Sequence, residues 1–260
     1  MSSSVAGRKW SAFQLMDTER ALRISQHRFY VEQAKARLLS QFSNIEAEAD
    51  QAENDAWELS GRFFDPDRHD PGEQAEAARD RGFEVYQLLS DMRDRTRLSV
   101  VAGMYHHWDK TVRRFLVREF RWPRLVIGDH TRRALWKMDS TKLEQLLRAL
   151  GLDLQQSSSY CRLDAMRLVV NVFKHGEGQS LDALRSKYPE FLRPASTPFM
   201  PFDDDDMVVT DQHVDHFAAA IEGFWQYLPP ELTFADDVEL ALPDEFEKAW
   251  KKDLAAQSSA

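Results

Sequence analysis

The sequence predicts an all-α protein: a helical bundle around a long antiparallel helix hairpin, with marginal or no β-structure. Residues 14–61 contain no proline, and apolar residues follow a helical period over residues 83–116 and again over 214–228. Neither a glycine-rich phosphate loop nor a dinucleotide fingerprint occurs in the 260 residues. These observations favour packed helices over a sheet-based nucleotide fold.

The first long helix is predicted between about residues 14 and 61. Every seventh residue along it is apolar: Ile24, Val31, Leu38 and Ile45. The second core position of each heptad is only partly apolar, being occupied by Arg28, Lys35, Phe42 and Ala49. Such a seam suits a helix packed on another helix better than a free-standing coiled coil. The segment SNIE at residues 43–46 is the one internal break signal.

A second long helix is predicted from about residue 73 to 121. Gly61, Pro66, Pro71 and Gly72 lie between the two helices, and they end the first and let the chain reverse. The apolar face of the second helix is wider than a coiled-coil seam, so this helix belongs in a core. Pro123 is predicted to end it.

Shorter helices follow. One of about ten residues is predicted from Ser140 or Thr141 as the cap to Gly151, and another runs from serines 157–159 to a stop at Gly176. A third begins at Ser180, and an amphipathic helix begins at Thr210. Residues 203–206 are four aspartates in a predicted surface loop, and residues 207–210 are an extended segment or short strand.

The predicted domain organisation is simple. Residues 1–13 form a flexible N-terminus, residues 14–228 form a single all-α domain with the long hairpin, and residues 229–260 form a C-terminal extension. The segment 124–131 is not predicted to be helical. We find no internal repeat.

The composition excludes several classes of protein and of binding site. A single cysteine, Cys161, excludes an internal disulfide framework and a cysteine-rich zinc site. The N-terminus lacks the apolar core of a signal peptide, and no apolar run reaches the roughly 18 residues of a membrane span. We therefore expect a soluble cytoplasmic protein without cofactor or metal. A formal charge of −9 argues against a general nucleic-acid coat protein.

The charged residues are nevertheless unevenly distributed along the chain. Eleven basic and four acidic residues lie between Lys110 and Arg148. The basic ones are Lys110, Arg113, Arg114, Arg118, Arg121, Arg124, Arg132, Arg133, Lys137, Lys142 and Arg148. This basic band is compatible with a polyanion such as RNA. The alternative is a helix surface whose charges pair with the acidic remainder of the chain.

The helix before Gly176 carries a line of polar residues. Its sequence is apolar around most of its circumference, but Arg167, Asn171 and His175 recur every four residues and so share one face. Polar groups on a mostly buried helix need partners or a wet groove. His175 also falls in the last turn, where free carbonyls favour the imidazolium and allow proton exchange near neutral pH. Alternatively, Asn171 and His175 bond to neighbouring backbone at an ordinary helix end.

Asn171 followed after three residues by His175 resembles the signature of the HEPN superfamily, the higher eukaryote and prokaryote nucleotide-binding domains. That signature is an arginine, usually followed by asparagine, with a histidine after four to six residues. Residues 100–116 are similar to a helix of several bacterial HEPN families. The sequence of that helix is an apolar run, a tyrosine, the pair HW, an acidic residue and then a basic residue. Tyr105, His107, Trp108, Asp109 and Lys110 occupy those places. Together the two stretches cover about thirty residues.

The resemblance implies a metal-independent endoribonuclease, an effector of phage defence or a toxin, in which two protomers form one groove. In that reading His175 is the general acid or base, an arginine holds the phosphate, Asn171 orients the substrate or the histidine, and Asp109 fixes the arginine. RNA would be the substrate, and a protein of a defence or toxin–antitoxin system a further partner. Residues assigned to RNA binding are Lys110, Arg113, Arg114 and Lys174.

The sequence departs from the family pattern at Val170, where the arginine usually stands. Arg167 lies one turn early, and Lys174 is about 100° round the helix from His175. Activity survives if Arg167 reaches the groove. If Arg167 pairs with an internal acid such as Asp164 or Asp109, the protein is a catalytically silent HEPN-like scaffold that dimerises or binds a protein partner.

Overall fold

The structure is a computed structural model that describes residues 9–120, 127–193, 206–235 and 240–258. Within these ranges it is mainly α-helical with one two-stranded sheet, which confirms the all-α prediction. The predicted helix end at Pro123 and the aspartates at 203–205 lie outside the described residues, as does most of the predicted flexible N-terminus.

Nine α-helices occur in the described part of the chain. They are α1 (Asp17–Arg37), α2 (Ile45–Gly61), α3 (Pro71–Glu119), α4 (Asp129–Lys137), α5 (Ser140–Ala149), α6 (Tyr160–His175), α7 (Gln179–Lys187), α8 (Asp211–Tyr227) and α9 (Asp244–Ser258). The first predicted long helix is therefore two helices, joined by a 3₁₀ turn at Leu39–Phe42. The break falls at Ser43 and Asn44, whose side chains compete with helical backbone bonds.

Two glycines end helices as predicted. Gly151 follows α5 with φ 95°, and Gly176 follows α6 with φ 70°, both in the left-handed region that favours glycine. The predicted caps at the starts of two helices, α5 and α7, were wrong. Asp139, one residue before Ser140, accepts a bond from the Lys142 amide, and Gly178 instead of Ser180 stands at the start of α7. An aspartate caps as well as a serine, so the sequence offered both.

A two-stranded antiparallel sheet joins distant parts of the chain. Strand β1 (Lys9–Gln14) pairs with β2 (Glu231–Ala235), with an irregularity between Ser11 and Phe13. Residues 9–13 are thus a strand, where we predicted flexibility. Phe13 is fully buried with its ring 5.2 Å from that of Phe115, and this burial fixes the strand. Met207, in the predicted extended segment, forms only an isolated bridge with Leu192.

The chain divides into two compact units. The first contains Met1–Arg28, Gly103–Arg167 and His216–Ala260, and the second contains Phe29–Ala102 and Leu168–Asp215. The sequence had indicated a single domain over residues 14–228. Strand β2 and helix α9, predicted as an extension, belong to the first unit.

Aromatic side chains form the core of the first unit. Trp225 is 2% exposed, and its ring lies edge-on to those of Phe115 and Phe224. The Arg23 guanidinium lies 4.8 Å from the Trp225 ring centroid and 5.3 Å from that of Phe115. Aromatic pairs and a cation over their faces stabilise the core beyond the area they bury. Trp108 packs edge-on against Phe224 in the same core.

A second arginine of α1 holds the end of α8. Nη1 of Arg20 donates to the carbonyl oxygens of Trp225 and, at 2.7 Å, of Leu228, with a longer contact to Gln226. The last carbonyls of a helix have no partner inside it. Arg20 therefore satisfies the C-terminal turn of α8 from another helix.

The first turn of α4 is capped by a residue far along the chain. Asp253 of α9, only 5% exposed, accepts bonds from the amides of His130 and Thr131 and from the Thr131 hydroxyl at 2.6 Å. A carboxylate satisfies free amides and complements the positive end of the helix. Gly128 allows this approach, because a Cβ there would lie 2.4 Å from the Asp253 carboxyl carbon.

In the second unit, α2 and α3 form the predicted hairpin and approach closely at Gly82. A Cβ at this position would lie 2.9 Å from the Glu53 Cβ and 3.1 Å from the Ala49 carbonyl oxygen. The obstructing atoms are backbone or close to it, so they cannot swing away. Gly82 is thus required by packing, although it lies inside a helix where glycine is unfavourable.

We expect Gly82→Leu to lower the free energy of unfolding by about 1–3 kcal/mol, the usual cost of overpacking, despite the better helix propensity of leucine. The measurement is urea denaturation followed by circular dichroism. Gly61→Ala is the control, because a Cβ at Gly61 meets no atom within 4 Å. A Gly82→Leu protein as stable as the control variant would contradict the close approach of the two helices.

Candidate functional site

Helix α6, which carries the predicted catalytic line, runs unbroken from Tyr160 to His175. Its apolar residues from Leu163 to Val172 are buried, as the sequence predicted. Val170, which stands where the HEPN signature has arginine, is 2% exposed. Arg167 belongs to the first unit, and Asn171, Lys174 and His175 belong to the second.

Arg167 is engaged within its own helix. Its Nε and Nη2 lie 3.1 Å and 2.5 Å from Oδ1 of Asp164, one turn earlier. The Asp164 side chain is 10% exposed and that of Arg167 24% exposed. A largely buried carboxylate that receives both bonds neutralises the guanidinium and fixes its direction. Of the two outcomes foreseen for Arg167, this is pairing with an internal acid.

Asp109 holds a different arginine from the one predicted. Its Oδ2 accepts a bond of 2.8 Å from Nε of Arg113, and Nη1 of Arg113 donates to the Leu135 carbonyl oxygen at 2.6 Å. Asp109 thus bonds to Arg113, while Arg167 is paired with Asp164. Arg113, assigned to RNA binding from the sequence, is only 6% exposed. Its charge serves to join α3 to the last turn of α4.

Tyr105 lies near the charged side chains of Asp109 and Arg113. Burial, and next the negative charge of Asp109, raise the pKa of Tyr105 to about 12, while Arg167, Ser140 and Arg113 act in the opposite direction. Its ring lies 5.7 Å from that of Trp108, and the residue is 9% exposed. A phenol with so high a pKa stays protonated at neutral pH, so Tyr105 is a core residue with no role as a base.

The second unit presents the remaining site residues to solvent. His175 and Lys174 are exposed, and Asn171 is half-buried. Within the described part of the chain, none of the three side chains forms a hydrogen bond or ion pair. The expected bonds from Asn171 and His175 to neighbouring backbone are therefore not formed there. The imidazole at the end of α6 remains accessible for proton transfer or for a ligand.

Just over half of the described basic band is paired with carboxylates. Arg121 and Arg124 lie outside the described residues. Of the other nine basic residues, five have a carboxylate within 4.0 Å: Arg113, Arg118, Arg132, Lys142 and Arg148. Lys110 and Arg114, both assigned to RNA binding, are exposed. Pairing removes much of the local positive charge that a polyanion would meet.

Over the described ranges, no group of three or more His, Cys, Asp or Glu side chains is placed to hold a metal ion. No helix in those ranges has both the length and the apolar character needed to cross a bilayer. Cys161, in the first turn of α6, is exposed.

The described residues of the second unit include many exposed apolar side chains, which the sequence did not predict. Eleven large apolar side chains there are more than a third exposed: Phe29, Tyr30, Leu38, Trp57, Leu59, Phe63, Phe83, Tyr86, Leu88, Met92 and Phe173. The described part of the first unit has three, which are Met16, Leu22 and Trp136. Concentrations of exposed apolar residues mark interaction sites. The helical period predicts four of them to lie on apolar core faces: Leu38, Phe83, Tyr86 and Phe173.

No family model, no curated protein and no solved structure matches this chain.

Proposed function

We propose that this protein is a helical, HEPN-like interaction scaffold without catalytic activity, which self-associates through its second unit. The observation that carries the proposal is the exposed apolar surface formed by Phe29 and Tyr30 of α1 and by Phe83, Tyr86, Leu88 and Met92 of α3. These side chains are 37–63% exposed. Their burial against a second copy would provide the free energy of association.

The area that these side chains expose supports a protein interface. At about 200 Å² for a fully exposed large side chain, the six residues together expose on the order of 600 Å². This total is divided between α1 and two flanks of α3, and it approaches the roughly 800 Å² that each partner contributes to a standard interface. On α3, Phe83 and Tyr86 lie on one flank and Leu88 and Met92 on the other.

The state of Arg167 supports the absence of catalysis. Cleavage of RNA by a 2′-hydroxyl requires positive charge on the pentacoordinate phosphate. Arg167, the candidate on the polar line of α6, is neutralised by Asp164, and Val170 is buried. Release of the guanidinium would break a charge-assisted pair with a largely buried carboxylate, which costs free energy.

We expect the double variant Phe83→Glu, Leu88→Glu, with one change on each flank of α3, to weaken self-association at least about a hundredfold. Each glutamate removes apolar area from the interface and places a charge there. Sedimentation velocity over a range of concentrations measures the dissociation constant. Leu22→Glu is the control, because Leu22 is similarly exposed, at 57%, but lies in the first unit.

Two results would contradict the proposed scaffold. A wild-type protein that remains monomeric at high micromolar concentration lacks the interface. Equal weakening by Leu22→Glu and by the double variant would place the interface elsewhere. Circular dichroism of each variant shows whether its helices are intact.

The exposure of His175 favours a second candidate function, the metal-independent endoribonuclease of a cytoplasmic defence or toxin system. At the end of α6 the imidazole is free to take a proton from a 2′-hydroxyl or to give one to the leaving 5′-oxygen. Lys110, Arg114 and Lys174 are exposed and offer charge for RNA phosphates. Two protomers brought together by the second unit would supply the composite groove that the HEPN resemblance implies.

Incubation with total RNA in EDTA distinguishes the two candidates. The scaffold predicts no cleavage above background by the wild-type protein. The ribonuclease predicts cleavage that falls by about a hundredfold or more in His175→Ala, the usual contribution of a general acid or base. Arg167→Ala tests the phosphate contact, and His216→Ala, which removes another exposed histidine, is the control.

A further inference from the structure

Helix α2 has an unusual charge pattern. Between Leu38 and Gly61 the sequence contains six carboxylates, Glu46, Glu48, Asp50, Glu53, Asp55 and Glu58, and no lysine, arginine or histidine. Among the described residues, none of these carboxylates forms an ion pair. Asp55 accepts a bond of 2.7 Å from the Gln51 side chain. The field around the exposed sides of α2 is therefore strongly negative.

Each exposed flank of α2 combines carboxylates with a large apolar side chain. Ile45 and Ala49 are buried and define the inner face. On one flank, Glu46, Asp50 and Trp57 fall within about 40° of one another. Trp57 is 47% exposed.

The opposite flank repeats the arrangement. Glu48, Asp55 and Leu59 also fall within about 40° of one another. Leu59 is 56% exposed, and Phe63, just beyond the helix, is 75% exposed. Both flanks thus carry carboxylates along the helix and a large apolar side chain near its C-terminal end.

We propose that each of these flanks of α2 docks a cationic amphipathic helix of a partner protein. The inference rests on the proposed scaffold function and names the chemistry of the partner. On one flank a guanidinium of such a helix would stack on Trp57, and on the other its leucines would cover Leu59 and Phe63. On either flank its lysines and arginines would face the carboxylates. The opposite charge on the two partners also accelerates their encounter.

The negative charge of α2 favours a basic protein segment over other ligands. Phosphates of a nucleic acid or of an anionic membrane are repelled by six unpaired carboxylates. A metal ion is disfavoured because the described residues contain no cluster that could hold one. A basic protein segment matches both the charge and the apolar side chains.

The test uses a fluorescein-labelled peptide of 18 residues, in which leucine and arginine alternate at helical spacing. Fluorescence anisotropy measures its binding to the full chain at low ionic strength. The triple variant Glu46→Gln, Asp50→Asn, Asp55→Asn removes three charges from both flanks. The matched control Glu73→Gln, Glu76→Gln, Asp80→Asn removes three exposed charges from the start of α3. The two variants have the same net charge.

We expect saturable binding by the wild-type protein that weakens about tenfold or more in the α2 triple variant and less than about twofold in the control. Trp57→Ala should weaken binding about fivefold through loss of the stacked guanidinium. Equal weakening in both triple variants would mean nonspecific attraction to an acidic protein and would overturn the proposal. A lack of saturable binding would overturn it as well.

Self-association separates this proposal from the scaffold on which it rests. A wild-type protein that dimerises in sedimentation velocity but does not bind the peptide refutes the α2 site alone. A wild-type protein that neither dimerises nor binds the peptide refutes the scaffold too. If the wild-type protein dimerises without binding the peptide and the α2 triple variant no longer dimerises, the occupant of α2 is a second copy, and the partner proposed here is wrong.

Discussion

Replacing Arg113 with alanine is expected to lower the free energy of unfolding by about 3 kcal/mol, because it breaks a largely buried ion pair. The Arg113 side chain is 7% exposed and that of Asp109 is 22% exposed. Its loss leaves the Asp109 carboxylate and the Leu135 carbonyl oxygen without their donor. A buried acceptor without a partner costs its full desolvation free energy.

Arg114→Ala is the matched control, since Arg114 is the adjacent residue and is exposed. We expect its effect on stability to stay within about 0.5 kcal/mol. Chemical denaturation of both variants gives the comparison. If Arg113→Ala unfolds at the wild-type denaturant concentration, the side chain is not engaged as described, and a role in RNA binding would regain support.

Asp253→Ala is expected to cost about 3 kcal/mol at neutral pH, since three donors lose a charged acceptor. The effect depends on pH. Burial acts to raise the pKa of the Asp253 carboxyl, but bonds from the Thr131 hydroxyl and amide and from the His130 amide outweigh it and hold that pKa below its ordinary value. A depressed pKa in the folded protein means that the stabilisation is complete above the unfolded value of about 3.9. It is lost as the pH falls through the folded value.

The difference in unfolding free energy between wild type and Asp253→Ala should therefore be largest near neutral pH and shrink below about pH 4. Denaturation at pH 7 and at pH 3 measures it. Asp129→Asn removes an exposed charge from the first turn of the same helix, so its cost should stay below about 1 kcal/mol. A pH-independent cost for Asp253→Ala would exclude the carboxylate as the stabilising species.

The helices were predictable wherever their apolar period is long. Residues 71–119 and 211–227 repeat that period over many turns, and both segments are helices. Helix α4 was missed because it has nine residues, of which only Thr131 and Leu135 are buried, and because its cap comes from Asp253. A contact between residues more than 120 positions apart leaves no local pattern in the sequence.

The polar line of α6 and its stop at Gly176 could be read from the sequence, because helical spacing fixes them. The partner of Arg167 could not be predicted, because the sequence offers two acidic candidates, Asp164 and Asp109. Asp164 stands one turn away on the same helix and forms the bond. The burial of Arg113 could not be predicted from the sequence, because arginine side chains are usually exposed.

The exposure of apolar side chains on the second unit could not be predicted for a different reason. Phe83 and Tyr86 belong to an apolar face that is indistinguishable in sequence from one buried in the same chain. Exposure depends on which neighbouring elements cover the helix, and composition does not report that. Only the packing of α2 against Gly82 shows which side of α3 is already occupied.

The bonds from Arg20 to the end of α8 have a consequence for local opening. A helix terminus normally frays independently, and its amides exchange with solvent quickly. Here a guanidinium anchored in α1 binds the carbonyls of Trp225 and Leu228. The last turn of α8 should therefore exchange its amide protons with deuterium as slowly as the helix interior, and it should open only together with the start of α1.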